Sequence, residues 1–336
     1  MNTIPLGSSG RSTTRLGFGC SSIMGALGRR DSLNMLEAAW DAGIRHFDVA
    51  PMYGYGEAEG CLGEFLSRHP GQVTVTTKFG IPPEAGRPVA RLGRSVLRPV
   101  LKQFPGIKKR FVGSAPPPAS LAIPVVEKVS SPKPPNPIFT AEHAKKSLHR
   151  SLAALKVDRI DVLLLHDVAS RDLLDDDLLR LLEDSVRSGR VGTFGVGTDR
   201  SQIDPLLRDH PAYCPVLQYE WSILNPIPAY ANAFRIHHRS LTGNFRSLHT
   251  ALLADKDRCL RWSQSIDVDL AEPEVLANLM LKAALVLNPE SVILFSSKNP
   301  AHIQANVDLA SDESLTSAAI ALYRIAQAEL IAPQVY

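Results

Sequence analysis

Four side chains in the first half of the sequence have the types and positions needed for proton-coupled chemistry. Asp48 interrupts the apolar run His46–Ala50, and Tyr53 follows it inside Met-Tyr-Gly-Tyr-Gly. Lys78 lies near the end of the β-branched run VTVTTKFG, and His166 closes the apolar part of DVLLLHD. A lysine at the end of a buried strand needs a counter-ion, and Asp48 is the obvious one. A phenol beside such an ammonium has its phenolate favoured, which predicts a Tyr53 pKa lowered from ~10 toward the working range. That phenol could protonate a developing alkoxide, or deprotonate an alcohol in reverse, while a histidine orients the carbonyl by a hydrogen bond. The set describes carbonyl reduction by hydride transfer, with Tyr53 as proton donor. Each residue alone has a plainer explanation, and a lone histidine is more often a satisfied core residue. Lys78 is the least easily explained away, and convergence of perturbed groups in one cleft favours function.

The elements that must position these groups are short β-branched runs alternating with helix-period segments. Strands are expected at Leu16–Cys20, His46–Ala50, Val73–Phe79, Asp161–His166, Val191–Gly197, Val216–Trp221, Ala233–His238 and Ser291–Ser296. Between them, helical patterns include Ser32–Ala42, Glu57–Ser67, Ala141–Leu155, Leu173–Ser188 and Glu272–Leu287. No GxGxxG follows an early strand, and eight strands favour a (β/α)8 TIM barrel over a doubly wound sheet. All of residues 1–336 then form a single barrel domain. An N-terminal hairpin around Gly7–Gly10 is expected to cap its floor. In such a barrel Asp48, Lys78 and His166 converge at the mouth formed by the C-terminal strand ends.

The segment 80–140, after the third strand, breaks the rhythm. It holds about half of the chain's 25 prolines, including Pro116–Pro118, and no clear strand. It is far longer than an ordinary connection, so it reads as a long proline-rich insertion. Its first half is basic, with Arg87, Arg91, Arg94 and Arg98 at helical spacing before Pro99. A solvated charged face is the plain reading. A cationic lid over the barrel mouth is the sharper one.

These residues resemble the aldo-keto reductase superfamily. GIRHFDVAPMYGYGEAEGCLG carries Asp48 and Tyr53, TTKFG carries Lys78, and DVLLLHD carries His166. They match that family's Asp, Tyr, Lys, His tetrad in kind and order. The likeness extends to LGFGC (Leu16–Cys20), VLQYEW around Gln218, and FSSKNPAHIQANV (Phe295–Val307). It spans nearly the whole chain except the insertion. The resemblance implies a nicotinamide cofactor extended across the mouth. Lys298 and the serine hydroxyls near the start of the next helix would suit a 2′-phosphate, which favours NADP over NAD. Against this, His302 stands where NADP-preferring members often have an arginine. Ser296, Ser297, Lys298, His302 and Asn306 inherit the adenosine end. Gly19, Cys20, Asp48, Thr198, Gln218, His238, Arg239, Leu241 and Gly243 inherit the rest of the cofactor site.

Two departures from the family pattern stand out. Gly197-Thr198 replaces a common Ser-Asn, leaving one hydroxyl for the nicotinamide carboxamide and shifting weight to Gln218. His238 stands where an aromatic commonly stacks on the nicotinamide. If protonated, it would favour the neutral reduced ring. The side chains of Ile23, Met24, Met52 and Trp221 are candidates for the substrate wall.

The composition, 44% hydrophobic and 21% charged, is that of a globular protein. A net charge of +3 and the lack of aromatic interleaving in the basic run argue against nucleic acid. Four dispersed cysteines without a CxxC pair read as reduced thiols in a cytoplasmic protein, and nothing calls for a metal. The N-terminus lacks a signal-peptide pattern, and no apolar run is long enough to span a membrane. The expected partner is a small carbonyl or sugar substrate, with the oligomeric state left open. An aldose dehydrogenase running in the oxidising direction is the close alternative. A cofactor-binding regulatory subunit with little turnover is a further one.

Overall fold

The computed structural model describes residues 3–82, 138–174, 176–227 and 233–331. Two short strands, β1 (Thr3–Pro5) and β2 (Ser12–Thr14), pair antiparallel as a hairpin. Eight more are all parallel: β3 (Leu16–Gly19), β4 (His46–Asp48), β5 (Thr74–Phe79), β6 (Ile160–His166), β7 (Val191–Gly197), β8 (Val216–Glu220), β9 (Phe234–His238) and β10 (Ser291–Phe295). β10 pairs with both β9 and β3, closing a barrel. All eight expected barrel strands are present, each ending within two residues of its predicted bounds.

The hairpin caps the floor, as its sequence suggests. Leu6 is fully buried and packs with Val162, Leu164, Val216, Ile236, Val292 and Leu294 inside the barrel. Ser8 Oγ donates to Thr193 Oγ1 at 3.0 Å, and Arg11 pairs with Asp161 at 3.4 Å.

Helices surround the barrel: α1 (Arg29–Asp41), α2 (Ala58–Leu66), α3 (Ala141–Leu155), α4 (Asp177–Arg187), α5 (Arg200–Asp209), α6 (Asn244–Ala254), α7 (Lys256–Ile266), α8 (Pro273–Leu287), α9 (Pro300–Ser311) and α10 (Thr316–Ala326). The predicted Ala141–Leu155 helix is found with those bounds because both ends are marked. Thr140 Oγ1 accepts from the His143 N–H, and Lys156 stops the helix in a left-handed conformation. The seventh barrel strand is followed by three helices, whose apolar faces build a second core around Leu248, Trp262 and Met280.

The insertion's interior and its basic run (Arg87 to Arg98) lie outside the described residues. Its described ends meet, with Phe79 and Phe139 edge to face at 5.7 Å. Gly80 has φ +127°, and a Cβ there would come within 2.7 Å of the His166 carbonyl oxygen. The chain thus leaves the barrel beside His166. No described helix is long and apolar enough to cross a membrane.

Candidate active site

A cavity of about 980 Å³ opens at the C-terminal ends of the strands. Asp48, Tyr53, Lys78 and His166 all line it, brought together from β4, the loop after it, β5 and β6. Asp48 and Lys78 are 4% and 2% exposed. Lys78 Nζ donates to Asp48 Oδ1 at 2.6 Å and to the Val49 carbonyl at 3.0 Å. Gln218 Nε2 donates to Asp48 Oδ2 at 2.7 Å. Lys78 Nζ lies 5.3 Å from the centre of the Tyr53 ring, and His166 stands edge-on to that ring at 6.3 Å.

The electrostatics correct one expectation. Lys78 is the largest influence on Tyr53 and pulls its pKa down. Burial, the Asp48 carboxylate and Cys20 outweigh that pull, and the phenol ends above its ordinary value. A neighbouring ammonium favours the phenolate, but the loss of water on burial disfavours it. Burial pulls the Lys78 pKa down, but Asp48 and Tyr53 reverse the sign and raise it, which favours the ammonium. His166 is pushed down to about 3 by burial and by Lys78, so its ring is neutral at physiological pH. His238 is lowered to about 4, chiefly by burial, which removes the protonated imidazole considered for it.

Most residues assigned to a cofactor also line the cavity. Gly19, Thr198, Gln218, His238, Arg239 and Leu241 do so, as do Ser296, Ser297, His302 and Asn306. Ser296 Oγ donates to the Gly19 carbonyl at 2.6 Å, tying the first barrel strand to the last. Thr198 Oγ1 donates to the Val168 carbonyl at 2.7 Å, so its proton is already committed. Gly197 also lines the cavity. A Cβ on it would come within 3.3 Å of Gln218 Oε1.

Cys20, Gly243 and Lys298 do not line the cavity. The Cys20 thiol is fully buried in the core and faces the Phe18 carbonyl. Gly243 caps the start of α6, and Lys298 is exposed just before α9. The substrate-wall candidates are elsewhere too. Ile23 and Met24 are in the barrel's outer core, and Trp221 packs beside His237 and Tyr323. Met52 is half-buried and off the lining.

Lining residues that sequence reasoning passed over include Ser21, Asp167, Asp199, Glu274 and Asn278. Asp167 and Asp199 follow β6 and β7 within two residues, so the strand-end rule that singled out His166 would also have marked them. Glu274 and Asn278 come from α8, where nothing local distinguishes them.

The sequence profile of the Aldo/keto reductase family matches residues 15–231, about two thirds of the chain. The chain therefore belongs to the aldo/keto reductase family. It is similar to a pyridoxal 4-dehydrogenase of Microbacterium luteolum, 45% identical over 78 residues, 22% of this chain and 23% of that one. It is also similar to a D-threo-aldose 1-dehydrogenase of a Pseudomonas species, 32% identical over 196 residues, 54% of this chain and 49% of that one. These matches therefore span half or less of either relative. A solved aldo-keto reductase of Klebsiella pneumoniae in complex with NADPH shares the fold. Its TM-score is 0.61 at 16% identity, over 97% of this chain and 95% of that one.

Proposed function

We propose that the chain interconverts an aldehyde or ketone and its alcohol with a nicotinamide cofactor, NADP(H) in preference to NAD(H). The observation that carries this reading is the buried ammonium of Lys78, held by Asp48 beside the Tyr53 ring at the base of the cavity. The cavity is at the upper end of the ~300–1,000 Å³ usual for ligand sites. The uncharged polar part of its lining suits a dinucleotide: Thr198, Gln218, Ser240, Thr242, Asn278 and Asn306 offer amides and hydroxyls to carboxamide, ribose and phosphate.

The cofactor, when bound, supplies or accepts the hydride. The chain's own residues handle the proton. Tyr53, held in its protonated form, gives its hydroxyl proton to the carbonyl oxygen. Lys78 stabilises the phenolate left behind, and Asp48 keeps Lys78 charged. The neutral His166 ring offers an N–H to orient the same oxygen. A phenol held protonated favours the reductive direction.

The preference for NADP rests on Lys298, a cation next to the lining Ser297 and ahead of α9. The amides at the start of α9 and this charge would suit a 2′-phosphate. The NADPH complex of the Klebsiella protein supports the same choice. The aldose dehydrogenase relative supports a sugar-like substrate, which the same site would oxidise with Tyr53 as base.

Tryptophan-fluorescence titration with NADPH and NADH tests the cofactor, and a panel of aldehydes and aldoses tests the chemistry. NADPH binding that weakens in Lys298→Ala, with turnover lost in Tyr53→Phe, is the expected result. Failure to bind either dinucleotide would sink the reading.

A further inference from the structure

The loop that carries Tyr53 meets a second loop at a close backbone approach. After β3 the chain turns at Cys20–Ser22 and runs through Ile23 and Met24. After β4 it turns again at Tyr53–Gly56. Gly54 is where the two meet. Its φ is +60°, and a Cβ on it would lie 2.6 Å from the Ile23 carbonyl oxygen and 2.7 Å from Met24 Cβ. Real carbon atoms do not approach so closely. Tyr55, next along, is also left-handed at φ +59°.

Met24 is itself in the left-handed region, with φ +57°, which is uncommon for a residue with a side chain. Its N–H donates to Ser32 Oγ at 3.0 Å. Ser32 is fully buried in the first turn of α1, anchored by its own N–H to the Gly28 carbonyl at 2.8 Å. The outer side of this contact borders a groove of about 490 Å³ lined by Met24, Arg29 and Glu57. Met24 is otherwise packed in the main core, and the Ser32 hydrogen bond ties its backbone to the first turn of α1.

Such conformations persist only where the surroundings over-determine them, and proton transfer is steeply sensitive to donor placement. We propose that Gly54 and the Ile23–Met24 backbone form a socket that fixes the Tyr53 phenol beside Lys78, and that Ser32, acting through Met24, is a positioning residue for the proton-transfer step. The socket rests on the assignment of Tyr53 as proton donor.

The test compares Ser32→Ala, Ser32→Cys and Gly54→Ala, each alone and combined with Tyr53→Phe. NADPH affinity is read by tryptophan fluorescence, and kcat and KM by reduction of 4-nitrobenzaldehyde. Tyr53 ionisation is read without turnover, from ultraviolet difference absorbance against Tyr53→Phe. Ser32→Ala should lower kcat about tenfold and Gly54→Ala on the order of a hundredfold, with KM and NADPH affinity within about twofold. The Tyr53 titration should move down toward its ordinary value as the phenol gains water. Ser32→Cys fills the space but accepts weakly, so it should behave like Ser32→Ala. With Tyr53→Phe already present, the further substitutions should change the residual rate less than about twofold.

Equal losses in both backgrounds, an unmoved Tyr53 titration, or wild-type behaviour of Ser32→Cys would overturn the socket alone. Full activity of Tyr53→Phe would overturn the proton-donor assignment and the socket with it. If Gly54→Ala does not fold, the serine variants decide.

Discussion

Gln218 and Asp48 stand 170 positions apart in sequence, yet Gln218 Nε2 donates to Asp48 Oδ2 at 2.7 Å. Lys78 takes the other carboxylate oxygen at 2.6 Å. Both oxygens of a buried carboxylate are thus satisfied by groups from two other strands, and the carboxylate in turn keeps an ammonium charged beneath the phenol.

Breaking this pair on one side should cost more than removing it. Asp48→Asn leaves the Lys78 ammonium buried without a counter-charge, and a loss of about 3–5 kcal/mol of stability is expected. The double variant Asp48→Asn/Lys78→Met should recover much of that stability in urea denaturation while remaining inactive. A double variant no more stable than Asp48→Asn would contradict the account.

Tyr53→Phe removes the proton and little else. A fall in kcat of about 10²–10⁴-fold is expected, with dinucleotide affinity retained in fluorescence titration. Parallel loss of binding and turnover would instead mark Tyr53 as a structural residue.

The pH profile follows from two displaced groups. His166 titrates near 3, and Tyr53 above its ordinary value. Below its pKa the phenol holds the proton that reduction needs. Reductive kcat should therefore be level through the neutral range and fall only at the alkaline end. The oxidative rate should rise with pH, because it needs the phenolate. Steady-state rates in both directions check this, and a reductive rate already falling near neutrality would refute it.

Buried histidines should make the protein acid-sensitive. His46 is fully buried between Thr74 and Thr76 and lowered to about 4 by loss of water, with Asp48 opposing. The unfolded chain takes up this proton near pH 6.5 and the native state only near 4. Stability is therefore full above 6.5 and falls as the pH drops toward 4, by roughly 3 kcal/mol for this residue. Urea midpoints measured across that window should fall less steeply in His46→Gln, which keeps polar contacts to the threonines and cannot titrate, while the other buried histidines retain their share.

The sequence by itself determined which elements form and which residue types stand at their ends. Strand signals such as Val191–Gly197 and the capped helix Ala141–Leu155 are local, set by side-chain period and by caps within a few residues. The strand-end rule then named Asp48, Lys78 and His166 as convergent, and the barrel brings them to one cavity. Tertiary structure decided what depends on distance and on exclusion of water. It set the direction of the Tyr53 shift, because burial and Asp48 together outweigh the nearer attraction of Lys78. It also left the His238 ring neutral and turned the Cys20 thiol into the core. The contact of Gly54 with Ile23 and Met24 is of the same kind. Spacing along a chain specifies which groups can meet; how close they come, and how much water remains between them, is fixed only when every strand is in register.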